Sequence, residues 1–207
     1  NGKRIYHYYL NSICSVMRET GININTIPVL DILHNKTANI LKSRCFSYDK
    51  NNVRILGNLC ISVLKQNKIG SVSKHIPGHG PTNIDSHIAV PVVLDSRRKL
   101  ETADFFPFKN INSNFVMTAH VLFKKIDPNF VATQSSLILK KIIRKQLNFK
   151  GLIISDDICM KALKGNLLSN AKKCLISGCN LVLYCRGNIN ESSLLLKGIN
   201  KIDKFTI

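Results

Sequence analysis

The stretch Lys74-His75-Ile76-Pro77-Gly78-His79-Gly80-Pro81-Thr82-Asn83-Ile84-Asp85-Ser86-His87 decides how this chain is read. It follows the apolar run Ile69-Gly70-Ser71-Val72-Ser73, which reads as a buried strand. Pro and Gly then break the run, because neither continues a strand or a helix easily. The stretch carries three His, one Lys and one Asp. A strand end that opens into a loop crowded with titratable groups is where barrel and open-sheet enzymes place their chemistry. A solvated polar loop is the default for any single His, and it accounts poorly for three together.

Working outward, residues 3–20 place Leu10, Ile13, Val16 and Met17 at helical spacing ahead of Gly21. Residues 22–27 read as a short strand closed by Pro28-Val29-Leu30-Asp31, residues 32–48 as a loop, and residues 50–67 as a helix. Residues 88–112 are interrupted by Pro91, Asp95 and Pro107, and 100–108 reads as a helix or an ordered loop. Residues 115–119 form a strand ending at His120, 137–147 an amphipathic helix with Lys outward, and 151–155 a strongly apolar strand ending in Asp156-Asp157. A helix over 166–177 stops at Gly178, followed by a strand over 181–185 and a helix over 191–201.

Strands and helices thus alternate about five times. The strands are apolar runs rather than alternating ones, so they are covered on both faces, as in a parallel sheet with crossover helices. Polar residues collect where the strands end: Asp31, then Lys74 and His75, then His120, then Asp156 and Asp157, then Arg186 and Asn188. A TIM barrel and an open doubly wound sheet both place their ligand at that end. Neither a dinucleotide-binding nor a P-loop glycine motif occurs, so nucleotide binding has no support.

The chain has 207 residues, 44% hydrophobic, with mean hydropathy +0.03, ordinary for a folded soluble protein. No apolar run approaches the roughly 18 to 20 residues of a membrane span. The start lacks an apolar core with a small-residue cleavage site, so no signal peptide is expected, and the missing initiator Met points to a chain that begins inside a longer frame. Net charge is +18, which taken alone suggests a polyanion such as nucleic acid. The basic residues are scattered, however, and no DNA- or RNA-binding motif accompanies them. No specific nucleic-acid partner and no membrane partner are expected. Seven Cys at spacings that match no zinc pattern, several in apolar runs, read as buried thiols in a reducing cytoplasm.

Asp156 is a site candidate because a carboxylate at a buried strand end is expensive unless solvated or used. Its bland reading is a helix N-cap for a segment starting near Ile158, a role that suits Asp157 better. Asp85 and His87 flank one Ser, so in an extended loop they point to one side. Asp85 then fixes the His87 tautomer and raises the basicity of the other ring nitrogen. Taken blind, such a triplet is more often a turn. Lys74 and His75 end their strand, while Arg44 and His120, each considered alone, are more often structural.

Together these segments resemble glycoside hydrolase family 3, and within it the bacterial β-N-acetylhexosaminidases of peptidoglycan recycling. The signature is Lys74-His75-Ile76-Pro77-Gly78-His79-Gly80 through Asp85-Ser86-His87. Four more segments agree in order: Ile24-Asn25-Thr26-Ile27-Pro28-Val29-Leu30-Asp31, Arg44-Cys45-Phe46-Ser47-Tyr48, Met117-Thr118-Ala119-His120 and Ile154-Ser155-Asp156-Asp157-Ile158-Cys159-Met160. The resemblance implies an α/β fold, a partial TIM (β/α)8 barrel of about five parallel strands, as one catalytic domain over 1–207. It implies a retaining glycosidase with Asp156 as nucleophile, His87 as general acid and base, and Asp85 orienting His87 in place of the usual second carboxylate. It implies that Arg44, Lys74, His75, His120 and Met160 bind substrate, an N-acetylglucosaminyl-anhydro-N-acetylmuramic saccharide with or without peptide. No metal and no cofactor is implied, and the expected compartment is the cytoplasm. Thr118 stands where the family usually has Pro.

A complete barrel of this class takes about 250 residues. Here the resemblance starts at the helix before the fourth strand, and a sugar-binding Asp-Gln-Glu-Gly-Gly segment is not found. Five strands do not close an eight-stranded barrel, so a separate N-terminal polypeptide or self-association is expected to complete it. The competing reading is an inactive remnant that at most binds sugar, and a weaker one is a basic nucleic-acid-binding protein.

Overall fold

The computed structural model of the chain describes residues 2–202, 204 and 206. Helix α1 (Gly2–Glu19) buries Leu10, Cys14 and Met17, one face at helical spacing, and ends at Gly21 with φ +76°. That face packs on Cys60, Val63 and Leu64 of α3 (Lys50–Gln66), which starts at Asp49, whose side chain accepts from the Asn51 amide. Gly57 of α3 is needed for close approach: a Cβ there would lie 2.2 Å from Leu30 Cδ2.

Five parallel strands make the sheet: β1 (Ile24–Asn25), β2 (Gly70–Ile76), β4 (Phe115–Thr118), β6 (Leu152–Asp157) and β7 (Leu181–Leu183), hydrogen-bonded in that order. The expected partial barrel of parallel strands is therefore present. Helices connect the strands: α3, α4 (Arg97–Thr102), a helix over Leu137–Gln146 and α5 (Leu167–Ser177), with α6 (Ile189–Gly198) following β7. Ile76, Val116 and Ile153 from neighbouring strands are wholly buried in one core with Ile138, Leu139, Ile142 and Ile143 from the Leu137–Gln146 helix. Each such side chain contributes about 1.5–3 kcal/mol on burial. β1 and β7 each leave one edge of the sheet unpaired among the described residues.

The structure departs from the sequence reading in several places. The strand expected over 22–27 is two residues long and resumes only as a bridge from Val29 to Lys74, because Pro28 has no amide to donate. The expected loop 32–48 contains a four-residue helix, α2 (Asn39–Lys42). The helix over Leu137–Gln146 is π-type, with the Leu147 amide donating to the Ile142 carbonyl. A second small sheet pairs β3 (Val92–Val93) with β5 (Leu122–Phe123) and was not anticipated. Finally, no helix starts near Ile158. β6 runs through Asp157, a turn region follows, and α5 begins under its own N-cap, Asn166.

Candidate active site

Because the strands are parallel, their polar ends meet on one rim, although the pairing shifts register between Lys74 and Ile76 and between Ile154 and Asp157. Asp31 follows β1 and is 1% exposed. A carboxylate that deep requires partners, and it has three. His75 Nδ1 donates to Oδ2 at 2.6 Å, the His75 amide donates to Oδ2 at 3.3 Å, and the His79 amide donates to Oδ1 at 2.8 Å. Burial alone raises the Asp31 carboxyl, but the His75 ring and the His79 ring and amide outweigh it and hold the group below the usual carboxylate range. The Lys74–His75 peptide is cis, as are Ile27–Pro28 and Ile76–Pro77.

Asp156 ends β6 beside this pair. His75 Nε2 lies 4.0 Å from Asp156 Oδ2, and the Asp157 amide donates to Asp156 Oδ1 at 2.8 Å. Desolvation pushes the Asp156 carboxyl up. His75, His120, the Asp157 amide and Lys74 together pull it lower, so the half-buried group is an anion. Lys74 is shifted down, by burial first and then by Arg44, against the pull of Asp156 and Asp31. Lys74 and Arg44 share a cavity of about 440 Å³ with Tyr6, Tyr9, Ile27 and Phe46.

His120 is buried behind Asp156. Its Nε2 donates to the Asp157 carbonyl at 3.0 Å, which leaves Nδ1 to accept from Thr133 Oγ1 at 2.7 Å. Thr133 Oγ1 is also 2.8 Å from Thr118 Oγ1, so the hydroxyl at the position where Pro was expected joins this network. Both ring nitrogens of His120 are thus engaged within the fold. Met160 is buried in the turn after β6, its amide on the Asp157 carbonyl. Asp157 caps no helix: its Oδ1 accepts from the Cys159 and Cys185 amides and ties the end of β6 to the segment after β7.

The loop after β2 carries the second His–Asp pair. His87 Nδ1 donates to Asp85 Oδ1 at 2.7 Å, and the His87 amide donates to the same oxygen at 2.8 Å. Its side chain is 57% exposed. Desolvation raises the Asp85 carboxyl, and the His87 amide and ring together outweigh it and lower the group. The loop is anchored by the Ala162 amide on the Ser86 carbonyl and the Ala38 amide on the Thr82 carbonyl.

Three features of this rim were not foreseen. Asp31 was noted only as a strand-end residue, although a buried carboxylate closing an apolar run is the signal that singled out Asp156. His79 is neutral: burial first of all pushes it down to about 4, and its Nδ1 has no hydrogen-bond partner. A further, partly buried pair joins His34 Nε2 to Asp104 Oδ1 at 2.7 Å. Asp104 presses on Gly78 so closely that a Cβ there would lie 2.7 Å from its carbonyl, and Gly78 has φ +122°. Only Gly suits that position.

An anionic carboxylate at a strand end and a His–Asp pair on a loop are groups able to carry nucleophilic and acid–base chemistry. Among the described residues, no group of three or more His, Cys, Asp or Glu is arranged to hold a metal ion. Comparison with known proteins fits this geometry. Residues 10–204 match the glycosyl hydrolase family 3 N-terminal domain.

The chain belongs to glycosyl hydrolase family 3.

It is 38% identical over 180 residues to a beta-hexosaminidase of Shewanella frigidimarina, covering 84% of this chain and 52% of that protein. A beta-hexosaminidase of Haemophilus influenzae is 36% identical over 79% of this chain and 48% of its own length. Among solved structures, native NagZ from Neisseria gonorrhoeae superposes with a TM-score of 0.88 at 27% identity, covering 99% of this chain and 59% of that one. A family 3 beta-N-acetylglucosaminidase from Paenibacillus gives 0.88 at 29% identity, over 95% of this chain and 38% of that one. The chain spans about half the length of the curated relatives it matches. The curated relatives it matches carry the name beta-hexosaminidase. No described helix is long and apolar enough to cross a membrane.

Proposed function

We propose that this chain forms the catalytic part of a retaining β-N-acetylglucosaminidase that removes terminal N-acetylglucosamine from peptidoglycan fragments during cell-wall recycling in the cytoplasm. The observation that carries the reading is the half-buried, ionised Asp156 at the end of β6, together with the His87–Asp85 pair on the loop after β2. In the first half-reaction an Asp156 oxygen attacks the anomeric carbon. The bond to the leaving oxygen breaks, and that oxygen takes a proton from the His87 imidazolium. In the second, water attacks the same carbon, His87 takes the water proton, and the Asp156–carbon bond breaks. Asp85 keeps one proton on His87 Nδ1, so the other nitrogen handles the transferred proton. Arg44, Lys74 and His75 bind sugar hydroxyls, and His120 and Met160 complete the substrate-binding set.

Residues 1–207 act as one incomplete barrel unit. Its open edges carry exposed apolar side chains: Ile24 on β1, Tyr8, Tyr9 and Val16 on α1, and Ile189, Leu194 and Leu196 on α6. Further βα units, on the same or a separate polypeptide, or a second copy of this chain, cover them. These open edges also favour the alternative reading, a sugar-binding remnant without turnover. Hydrolysis of a chromogenic N-acetylglucosaminide by the wild-type chain, absent in Asp156→Ala, supports the enzyme. Folded chain that binds N-acetylglucosamine without turning it over supports the remnant.

A further inference from the structure

Asp31 is the most deeply buried charge on the rim, and no role in the reaction has yet been given to it. Its two oxygens do different things. Oδ2 takes the His75 ring proton at 2.6 Å, and Oδ1 takes the His79 amide at 2.8 Å. An ionised carboxylate only accepts, so the proton it holds sits on His75 Nδ1. That leaves Nε2 as the ring atom facing Asp156 Oδ2 across 4.0 Å. The gap is too long for a hydrogen bond, and one polar group of a bound sugar fits between the two atoms at hydrogen-bond distance from both. The His79 amide, held by the other oxygen, opens the loop that carries Asp85 and His87. The His79 ring packs edge-on to His75 with centroids 6.1 Å apart, and being neutral it adds no charge there.

We infer that Asp31 is a positioning residue. It fixes the tautomer and direction of His75 toward the sugar beside Asp156, and it pins the start of the loop that delivers His87. This rests on the proposed reading of the site as sugar-binding.

The test uses nitrogen NMR of the imidazoles in the full 207-residue chain, which needs no turnover. In the wild type at about pH 7, His75 carries its proton on Nδ1. In Asp31→Asn the oxygen stays on the His79 amide and the side-chain NH2 faces Nδ1, so the His75 proton moves to Nε2. Affinity for N-acetylglucosamine falls about tenfold, the scale of one charge-assisted hydrogen bond. Asp104→Asn, which disturbs the partly buried His34–Asp104 pair, lowers the melting temperature but leaves the His75 signals and the affinity unchanged. A wild-type His75 without a proton on Nδ1 would overturn the inference. So would a folded Asp31→Asn chain with the wild-type tautomer and affinity. A wild-type chain that binds no N-acetylglucosamine would overturn the sugar-binding reading instead, and the tautomer would still decide whether Asp31 orients His75.

Discussion

The His75–Asp31 and His87–Asp85 pairs have nearly equal bonds, 2.6 and 2.7 Å, and opposite surroundings. The first joins the ends of two strands 44 residues apart and is sealed from water. The second lies within three consecutive loop residues and stands largely in solvent. Sealed, a His–Asp pair is part of the fold, and breaking it leaves buried groups without partners. Exposed, it contributes little to stability and is free to follow a substrate. On the proposed reading, the molecule separates holding from proton transfer, with the sealed pair at the strand ends and the proton handler on a loop.

The largest expected effects break the exposed pair. His87→Ala lowers turnover of an alkyl glycoside or saccharide by about a hundred- to ten-thousand-fold. It does so far less for a nitrophenyl glycoside, whose leaving oxygen needs no proton. Steady-state kinetics on the two substrates check this, and equal losses would remove His87 from the proton step. Asp31→Ala acts on stability instead, costing about 3–5 kcal/mol, whereas Asp85→Ala costs at most about 1 kcal/mol. Urea denaturation of both variants measures the difference. Similar losses would erase the distinction between the pairs.

The pH dependence sharpens the same contrast. His79 is buried neutral with its value pushed down to about 4. A depressed His contributes stability that is complete above its unfolded value, about 6.5, and is lost as pH falls from there toward 4. The melting temperature is expected to fall across that window, and His79→Gln flattens the slope. The lowered Asp31 carboxyl adds stability that is present above the ordinary carboxylate range and lost only as pH falls through its depressed folded value. Asp104→Asn acts on stability alone, a loss of about 1–3 kcal/mol with unchanged kinetics.

The sheet was legible because its strands are short apolar runs covered on both faces, and each ends in a polar residue that marks the rim. Asp156 and the Asp85–His87 pair stood out for the same local reasons. Other features depend on packing that no short window contains. Asp31 and His75 meet only through strand pairing. β3 and β5, two residues each, are too short to leave a pattern. The wide hydrogen-bond ladder of Leu137–Gln146 is decided by the core it covers. Asp157 read as a helix cap because Asp commonly has that role, and the fold uses it instead to tie β6 to the segment after β7.

Trapping the covalent intermediate tests the central claim most directly. The chain is incubated with a slow fluorinated N-acetylglucosaminide, digested, and its peptides are mapped by mass spectrometry. The account predicts one sugar-modified peptide, modified at Asp156, and none from Asp156→Ala. Turnover without a modified peptide, or modification at another residue, would contradict it.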